Sequence, residues 1–254
     1  MTPPPRSNEG MRLLCVFAHP DDESYGPGGT IAAAALSGAE VDVLMFTCGE
    51  AGTIGVSKGL PREELCRRRR AELEVACAAL GVRAHRVVGA PDRGVSGIDR
   101  EAAGAEIERD IESRRPQVLL TFHHRGVSGH PDHIAVAGFL REAFRRTAAP
   151  QRLFEWGIPR AAAALYDRPN LVPLEDDEID AVIAVPAEAM ARKIAAIHAH
   201  ETQIEFFRSM QAKFDYAAAS APEYLMLRES RLPRPATPLS DLFEGIPRDP
   251  ERKR

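Results

Sequence analysis

Two short segments of the chain place imidazole and carboxylate side chains close together. The first is Ala18-His19-Pro20-Asp21-Asp22-Glu23, and the second is Gly129-His130-Pro131-Asp132-His133. Either segment alone would suit a turn followed by a helix cap. Together, His19, Asp22 and His133 would supply two imidazoles and one carboxylate, a donor set that binds zinc and leaves a coordination position for water. The paired segments therefore predict a divalent metal site, with Zn²⁺ expected first and Fe²⁺ or another divalent ion as the alternative.

Asp21 and His130 adjoin these predicted ligands. Because Asp21 and Asp22 are neighbours, their side chains diverge, and Asp21 is left free to accept a proton from water. His130 precedes His133 by one helical turn, so it faces the same cavity. An imidazolium there would stabilise oxyanion charge or protonate a leaving amine. Asp21 and His130 are therefore the predicted catalytic residues.

Alternating strand and helix patterns position the two segments. The spacing predicts strands at 12–18, 41–47, 83–88 and 117–122, and helices at 28–37, 61–80, 98–113, 132–147 and 186–207. This alternation is typical of the α/β class: a doubly wound, mostly parallel, Rossmann-like sheet with helices on both faces, in a single domain. Both segments then follow the carboxyl ends of strands, where such folds bind ligands.

Composition narrows the range of partners. The chain has 254 residues, 44% of them hydrophobic, and a formal net charge of −4, so no broad basic surface is available for nucleic acid. No apolar run is long enough for a membrane span. We expect an extended N-terminal arm at 1–10, one domain at 11–230, and a proline-rich, mobile C-terminal arm at 231–254. A small-molecule partner is expected, and a homo-oligomer is left open.

The cysteines bear on the cellular compartment. None of the four has the CxxC spacing of a redox pair or zinc knuckle, and the first ten residues lack the apolar core of a signal peptide. We therefore expect unpaired thiols and a reducing, cytoplasmic location. The four residues are Cys15, Cys48, Cys66 and Cys77.

With both segments in view, the chain resembles the LmbE-like, or PIG-L, family of zinc-dependent N-acetylglucosaminyl deacetylases. The two His-Pro-Asp segments, in this order, are the signature motifs of that family. The resemblance covers roughly residues 11–227. Further matching positions are Gly49-Glu50-Ala51-Gly52, Arg69 and Glu72, Ala79-Leu80-Gly81-Val82, Pro91-Asp92, Lys193, and His200-Glu201-Thr202-Gln203.

The resemblance implies a role for each matching residue. It places the metal on His19, Asp22 and His133, makes Asp21 the general base, makes His130 the group that polarises the carbonyl and assists departure of the amine, and puts Arg69 and Asp92 against the sugar. One position departs from the pattern: members that act on the mycothiol precursor carry a tyrosine where this chain has Ser128. The identity of the aglycone is therefore left open.

These observations predict a metal-dependent N-deacetylase. It would hydrolyse the acetamide of an N-acetylglucosamine-containing small molecule to acetate and a free amine. The alternative is an amidase that removes a larger acyl or thiol-conjugate group from a glucosamine-type substrate. Non-haem Fe(II) oxygenases use the same donor set, but their barrels of short strands do not fit this alternation. A non-catalytic sugar-binding module would lack a ligand or base, and none is missing.

Overall fold

The computed structural model describes residues 7–53, 55–166 and 168–248. Within these residues, seven strands form one sheet in the order β3-β2-β1-β4-β5-β7-β6. The strands are β1 (Arg12–Phe17), β2 (Glu40–Met45), β3 (Ala84–Val87), β4 (Val118–Phe122), β5 (Arg152–Gly157), β6 (Ala181–Ile183) and β7 (Glu223–Ser230).

The sheet is parallel through its first five positions. Strand β1 pairs in parallel with β2 and β4, β2 with β3, and β4 with β5, whereas β7 runs antiparallel to both β5 and β6. Every residue of β1 and β4 is buried, as expected for strands covered on both faces. The direction of winding reverses between β1 and β4, and this switch point is where open α/β sheets bind ligands. The predicted fold class is confirmed.

Helices cover the two faces of the sheet. No helix in the described ranges is both long enough and apolar enough to cross a bilayer. The helices are α1 (Asp22–Tyr25), α2 (Gly28–Leu36), α3 (Arg62–Leu80), α4 (Arg100–Arg114), α5 (Gly126–Gly129), α6 (Pro131–Arg146), α7 (Arg160–Ala163), α8 (Ala187–Ala199), α9 (Ile204–Gln211) and α10 (Tyr216–Ala219), with short 3₁₀ turns at 55–57, 95–97, 164–166, 176–178 and 201–203.

The prediction of a single helix at 186–207 is wrong, because the helical geometry is interrupted between α8 and α9. His200 leaves helical geometry with ψ near 63°, and its fully buried imidazole bonds Glu23. Directly after the break, the backbone N–H and hydroxyl of Thr202 both donate to Glu72 on α3. These side-chain bonds to other elements compete with the helical ladder and end α8.

The sequence predicts a mobile C-terminal arm at 231–254, but part of the described portion of this arm is packed against the domain. Leu242 and Phe243 are buried, and Leu239 extends the sheet by bridging to Ala181. Near the other end of the chain, Asn8 donates to the Asp241 carboxylate at 2.8 Å. Residues 239–246 are therefore packed against the domain, because the apolar side chains of Leu239, Leu242, Phe243 and Ile246 are buried there. Residues 1–6 and 249–254, the outer ends of the two predicted arms, lie outside the described residues.

The prediction that all four cysteines are unpaired is also wrong. Cys48 and Cys66 form a disulfide, while Cys15 and Cys77 are free and buried. The paired residues are 18 positions apart, and they meet because the loop after β2 lies against α3. The inference of a reducing compartment from unpaired cysteines therefore loses its basis.

Candidate metal and catalytic site

Both His-Pro-Asp segments leave the same edge of the sheet. His19 and Asp22 follow β1, which ends at Phe17, and His133 lies in the first turn of α6 beyond β4. Pro131 suits the first turn of α6 because its fixed backbone geometry and missing N–H cost nothing there. Since β1 and β4 are paired neighbours, their carboxyl ends bring the two segments together.

The donor atoms of the three predicted ligands form a small triangle. Nε2 of His133 lies 3.3 Å from Nδ1 of His19 and 3.4 Å from Oδ1 of Asp22, and Nδ1 of His19 lies 3.5 Å from Oδ2 of Asp22. Ligand atoms about 2.1 Å from a tetrahedral ion are about 3.4 Å apart, so this triangle has the size of one face of such a site. The residues present therefore fit a small divalent cation.

Hydrogen bonds orient both imidazoles towards that point. Nδ1 of His133 lies 3.2 Å from the Gly126 carbonyl, which leaves Nε2 as the ligating atom. Burial lowers the pKa of His133 to about 4, so the ring is neutral at pH 7. Nε2 of His19 lies 3.2 Å from Asp92 and 3.3 Å from Asp132, which leaves Nδ1 for the cation. Partners of this kind fix ring orientation in metal sites.

The charge around His19 also favours a cation. Burial alone would lower the pKa of His19, but hydrogen bonds to Asp132, Asp22 and Asp92 raise it well above its usual range. The three carboxylates around His19 thus stabilise a positive charge strongly. A divalent ion bound at this position would supply that positive charge.

Asp21 lies beside the triangle in a strained backbone conformation. Its φ is 113°, and its backbone N–H donates to Oε2 of Glu23 at 3.0 Å. The Arg69 guanidinium donates to Oδ2 of Asp21 at 3.1 Å. Burial raises the pKa of Asp21 to about 7 against the attraction of Arg69. A carboxylate with a pKa near the working pH is suited to accept and release a proton.

Arg69 and Asp92 line the cavity, and both are engaged by the protein. Arg69 is buried and also donates to the carbonyls of Gly49 and Pro20. Asp92 accepts from the backbone of Ala51 at 2.8 Å and contacts His19. In this structure the two side chains hold the loops around the site and the predicted ligand His19.

His130 makes one contact that caps a helix and another that places its ring in the cavity. Its Nδ1 accepts the backbone N–H of Asp132 at 3.2 Å, so its side chain caps α6. Its ring also lies 4.8 Å from the ring of His19, centroid to centroid, and lines the cavity. Burial and the charge of His19 lower the pKa of His130. With Nδ1 accepting, the proton of the ring is on Nε2, so His130 is a neutral donor here, whereas the sequence interpretation invoked an imidazolium.

Sequence reasoning missed three acidic residues that support the site. Asp132 is fully buried, contacts His19 and accepts the backbone N–H groups of Arg93 and Val95. Glu50 accepts the backbone N–H of Asp92 at 2.8 Å, and Glu23 holds Asp21 as described above. All three lie within the motif segments that match the family, and this position in the sequence could have indicated that they support the site.

The site opens into a cavity of about 300 Å³. This volume is at the lower end of the range for small-molecule sites. His19, Asp21, Asp22, His130 and His133 all line it, together with aromatic and aliphatic side chains from β5, α9 and the segment after α7.

Comparison with known proteins identifies the family of this chain. The family model for PIG-L, described as GlcNAc-PI de-N-acetylase, matches residues 14–144. The chain belongs to the PIG-L family. One PIG-L relative, a 1D-myo-inositol 2-acetamido-2-deoxy-alpha-D-glucopyranoside deacetylase from Acidothermus cellulolyticus, is 34% identical over 277 residues, covering 92% of this chain and 94% of its own.

Solved structures with the same fold have different activities. The N,N'-diacetylchitobiose deacetylase from Pyrococcus horikoshii aligns with a TM-score of 0.64 at 18% identity, covering 85% of this chain and 83% of its own. The 4-carboxy-2-hydroxymuconate hydratase from Pseudomonas putida aligns with a TM-score of 0.67 at 17% identity, covering 89% and 99%. At these identities the likeness shows the fold, and function must be argued from the site.

Proposed function

We propose that this protein is a metal-dependent N-deacetylase that hydrolyses the acetamide of an N-acetylglucosamine-containing small molecule to acetate and a free amine. The observation that carries the proposal is the triangle of His19, Asp22 and His133, with Asp21 and His130 beside it in one cavity. The relative from Acidothermus cellulolyticus is named for the same reaction type, which supports the proposal.

Zinc is our first choice of cation. Two imidazole nitrogens and one carboxylate are a common catalytic zinc set, although iron, cobalt and manganese bind similar donors. When bound, such an ion supplies a Lewis acid for an amide carbonyl and makes water more acidic.

The side chains of the chain supply the proton transfers. Asp21 takes a proton from the attacking water, and the Arg69 guanidinium keeps the carboxylate directed towards the cavity. His130 donates its Nε2–H to the oxygen on which negative charge develops. The protonated Asp21 then carries the proton that the leaving amine requires.

The test is a substrate panel on the full chain, stripped of metal and reloaded with zinc, iron, cobalt or manganese. Free, inositol-linked, malate-linked and chitobiose forms of N-acetylglucosamine are assayed for released acetate, and N-hexanoyl glucosamine is assayed for released hexanoate. We expect metal-dependent acetate release. Absence of acetate from protein with one bound metal per chain would contradict the proposal, and faster hexanoate release would favour the larger-acyl amidase.

A further inference from the structure

Part of the cavity beside the metal triangle is lined by apolar side chains from separate elements. We call this set the apolar wall. Its members come from α1, β5 and its extension, the segment after α7, and α9: Tyr25, Trp156, Ile158, Leu171, Phe206 and Met210. The remaining lining includes residues 51–53 and the charged side chains of the site. The cavity therefore presents two chemically different surfaces to one ligand.

Tyrosine hydroxyls near the apolar wall are already bonded to protein. The Tyr25 hydroxyl donates to the Gln203 carbonyl at 3.2 Å. The hydroxyl of Tyr216, which also lines the cavity, donates to the Tyr25 carbonyl at 3.0 Å. These residues present ring carbon to the cavity, because their polar atoms are turned to the backbone.

Three of the six side chains of the apolar wall, those of Tyr25, Trp156 and Phe206, are flat aromatic groups. The rings of Tyr25 and Phe206 pack edge to face, with centroids 5.2 Å apart. The Arg168 guanidinium lies 4.3 Å from the centroid of Phe206 and lines the same cavity. Planar guanidinium and aromatic groups stack favourably on another ring.

We infer that the apolar wall binds an aromatic aglycone on the N-acetylglucosamine substrate. The inference rests on the proposed function, because removal of an acetyl group accounts for only two carbons on the acyl side. A polyol such as inositol would lose its water against this surface without regaining its hydrogen bonds, whereas an aryl group loses none. The sugar is left to the polar lining around Asp21 and residues 51–53.

The experiment compares two glycosides that differ only in the aglycone. Phenyl and inositol-linked N-acetylglucosaminides of the same anomeric configuration are assayed with zinc-loaded full-length protein. We expect kcat/KM for the phenyl glycoside to exceed that for the inositol glycoside by about tenfold or more. Equal values, or faster turnover of the inositol glycoside, would overturn the inference.

A binding measurement separates this inference from the proposed function. Trp156 is the only tryptophan of the chain, so its fluorescence reports occupancy of the apolar wall without turnover. Zinc-loaded Asp21→Asn protein is titrated with 4-nitrophenyl N-acetylglucosaminide, whose nitroaryl group quenches indole fluorescence. Saturable quenching without acetate release by the wild type would support the aryl site and reject the deacetylase. Acetate release without quenching would reject the aryl site alone.

Variants in the apolar wall test its position. Leu171→Gln and Phe206→Ala should each weaken quenching and lower the phenyl-to-inositol ratio of kcat/KM by about tenfold. Val75→Ala, at an exposed position on α3, is the matched control and should change neither value. An unchanged ratio in folded Leu171→Gln and Phe206→Ala proteins would overturn the inference. If either variant fails to fold, the wild-type comparison still decides it.

Discussion

The carboxylate of Glu23 lies 2.6 Å from Nε2 of His200, and neither side chain has exposed surface. Burial alone would raise the pKa of Glu23, but the charge and hydrogen bond of His200 lower it below its usual range. The second oxygen of Glu23 accepts the backbone N–H of Asp21. This buried pair therefore holds the proposed general base in its left-handed conformation.

We expect Glu23→Gln to lower the free energy of unfolding by about 3–5 kcal/mol, because it leaves His200 without a counter-charge in the protein interior. Urea unfolding measures this change. Glu64→Gln is the matched control, since Glu64 pairs with Arg67 and Arg68 on the surface of α3 and should contribute little. Equal effects of the two substitutions would contradict a structural role for the buried pair.

His133→Ala should abolish stoichiometric binding of a divalent metal. The variant removes Nε2, one of the three donor atoms of the triangle. Metal analysis after dialysis measures occupancy, with His85→Ala on β3 as a control that keeps the site intact. Retention of a full equivalent of metal by His133→Ala would exclude His133 as a ligand.

Asp21→Asn should retain the metal and lose about 10²- to 10⁴-fold in kcat, as expected when a general base is removed. Asp22→Asn should instead lose metal affinity, because Asp22 has an oxygen 3.4 Å from His133 and another 3.5 Å from His19. Metal content and kcat are measured for both variants. The opposite pattern would exchange the roles of the two residues.

Substitution of His130 can separate its two contacts. His130→Ala should lose about 1 kcal/mol of stability through the missing helix cap, and should also lose activity. Asparagine is a good capping residue, so His130→Asn should recover stability without recovering kcat. Thermal unfolding and steady-state kinetics measure the two effects. Full activity in His130→Asn would assign His130 to capping alone.

The ion pair between Arg125 and Glu178 should stabilise the fold in a pH-dependent way. Hydrogen bonds from Arg125 lower the pKa of Glu178 to about 2, although burial opposes the shift. A carboxyl with a lowered pKa stabilises the fold above its ordinary pKa, near 4.3, and loses this contribution as the pH falls towards 2.

Wild type should therefore exceed Glu178→Gln by about 1 kcal/mol at pH 7, a value reduced for the partial exposure of the pair. The difference should shrink between pH 4 and pH 2. Urea titrations of both proteins across this range measure it. A difference that is constant with pH would show that the charge of Glu178 contributes nothing.

The parallel half of the sheet and the three predicted ligands could be anticipated from local patterns. Continuous apolar runs predict β1 and β4, because strands buried on both faces need no alternation. Once β1 and β4 are neighbours, the segments that follow them must meet at one edge of the sheet. His19, Asp22 and His133 therefore come together for a reason that the sequence already contains.

The remaining features depend on contacts between distant parts of the chain. Glu23 and His200 are 177 residues apart, and nothing near either residue indicates the other. The antiparallel insertion of β7 between β5 and β6, the Cys48–Cys66 disulfide and the packing of residues 239–246 also depend on contacts that are distant in sequence.

The amino-acid sequence by itself determined the fold class, the two motifs and the chemistry of the donor atoms, because these follow from residue type, hydrophobic period and short spacing. Only the tertiary structure decided which nitrogen of His19 is left for the predicted cation, how His130 holds its proton, and which side chains form the apolar wall. Those properties depend on hydrogen bonds and packing between elements far apart in sequence, and local propensity carries no information about them.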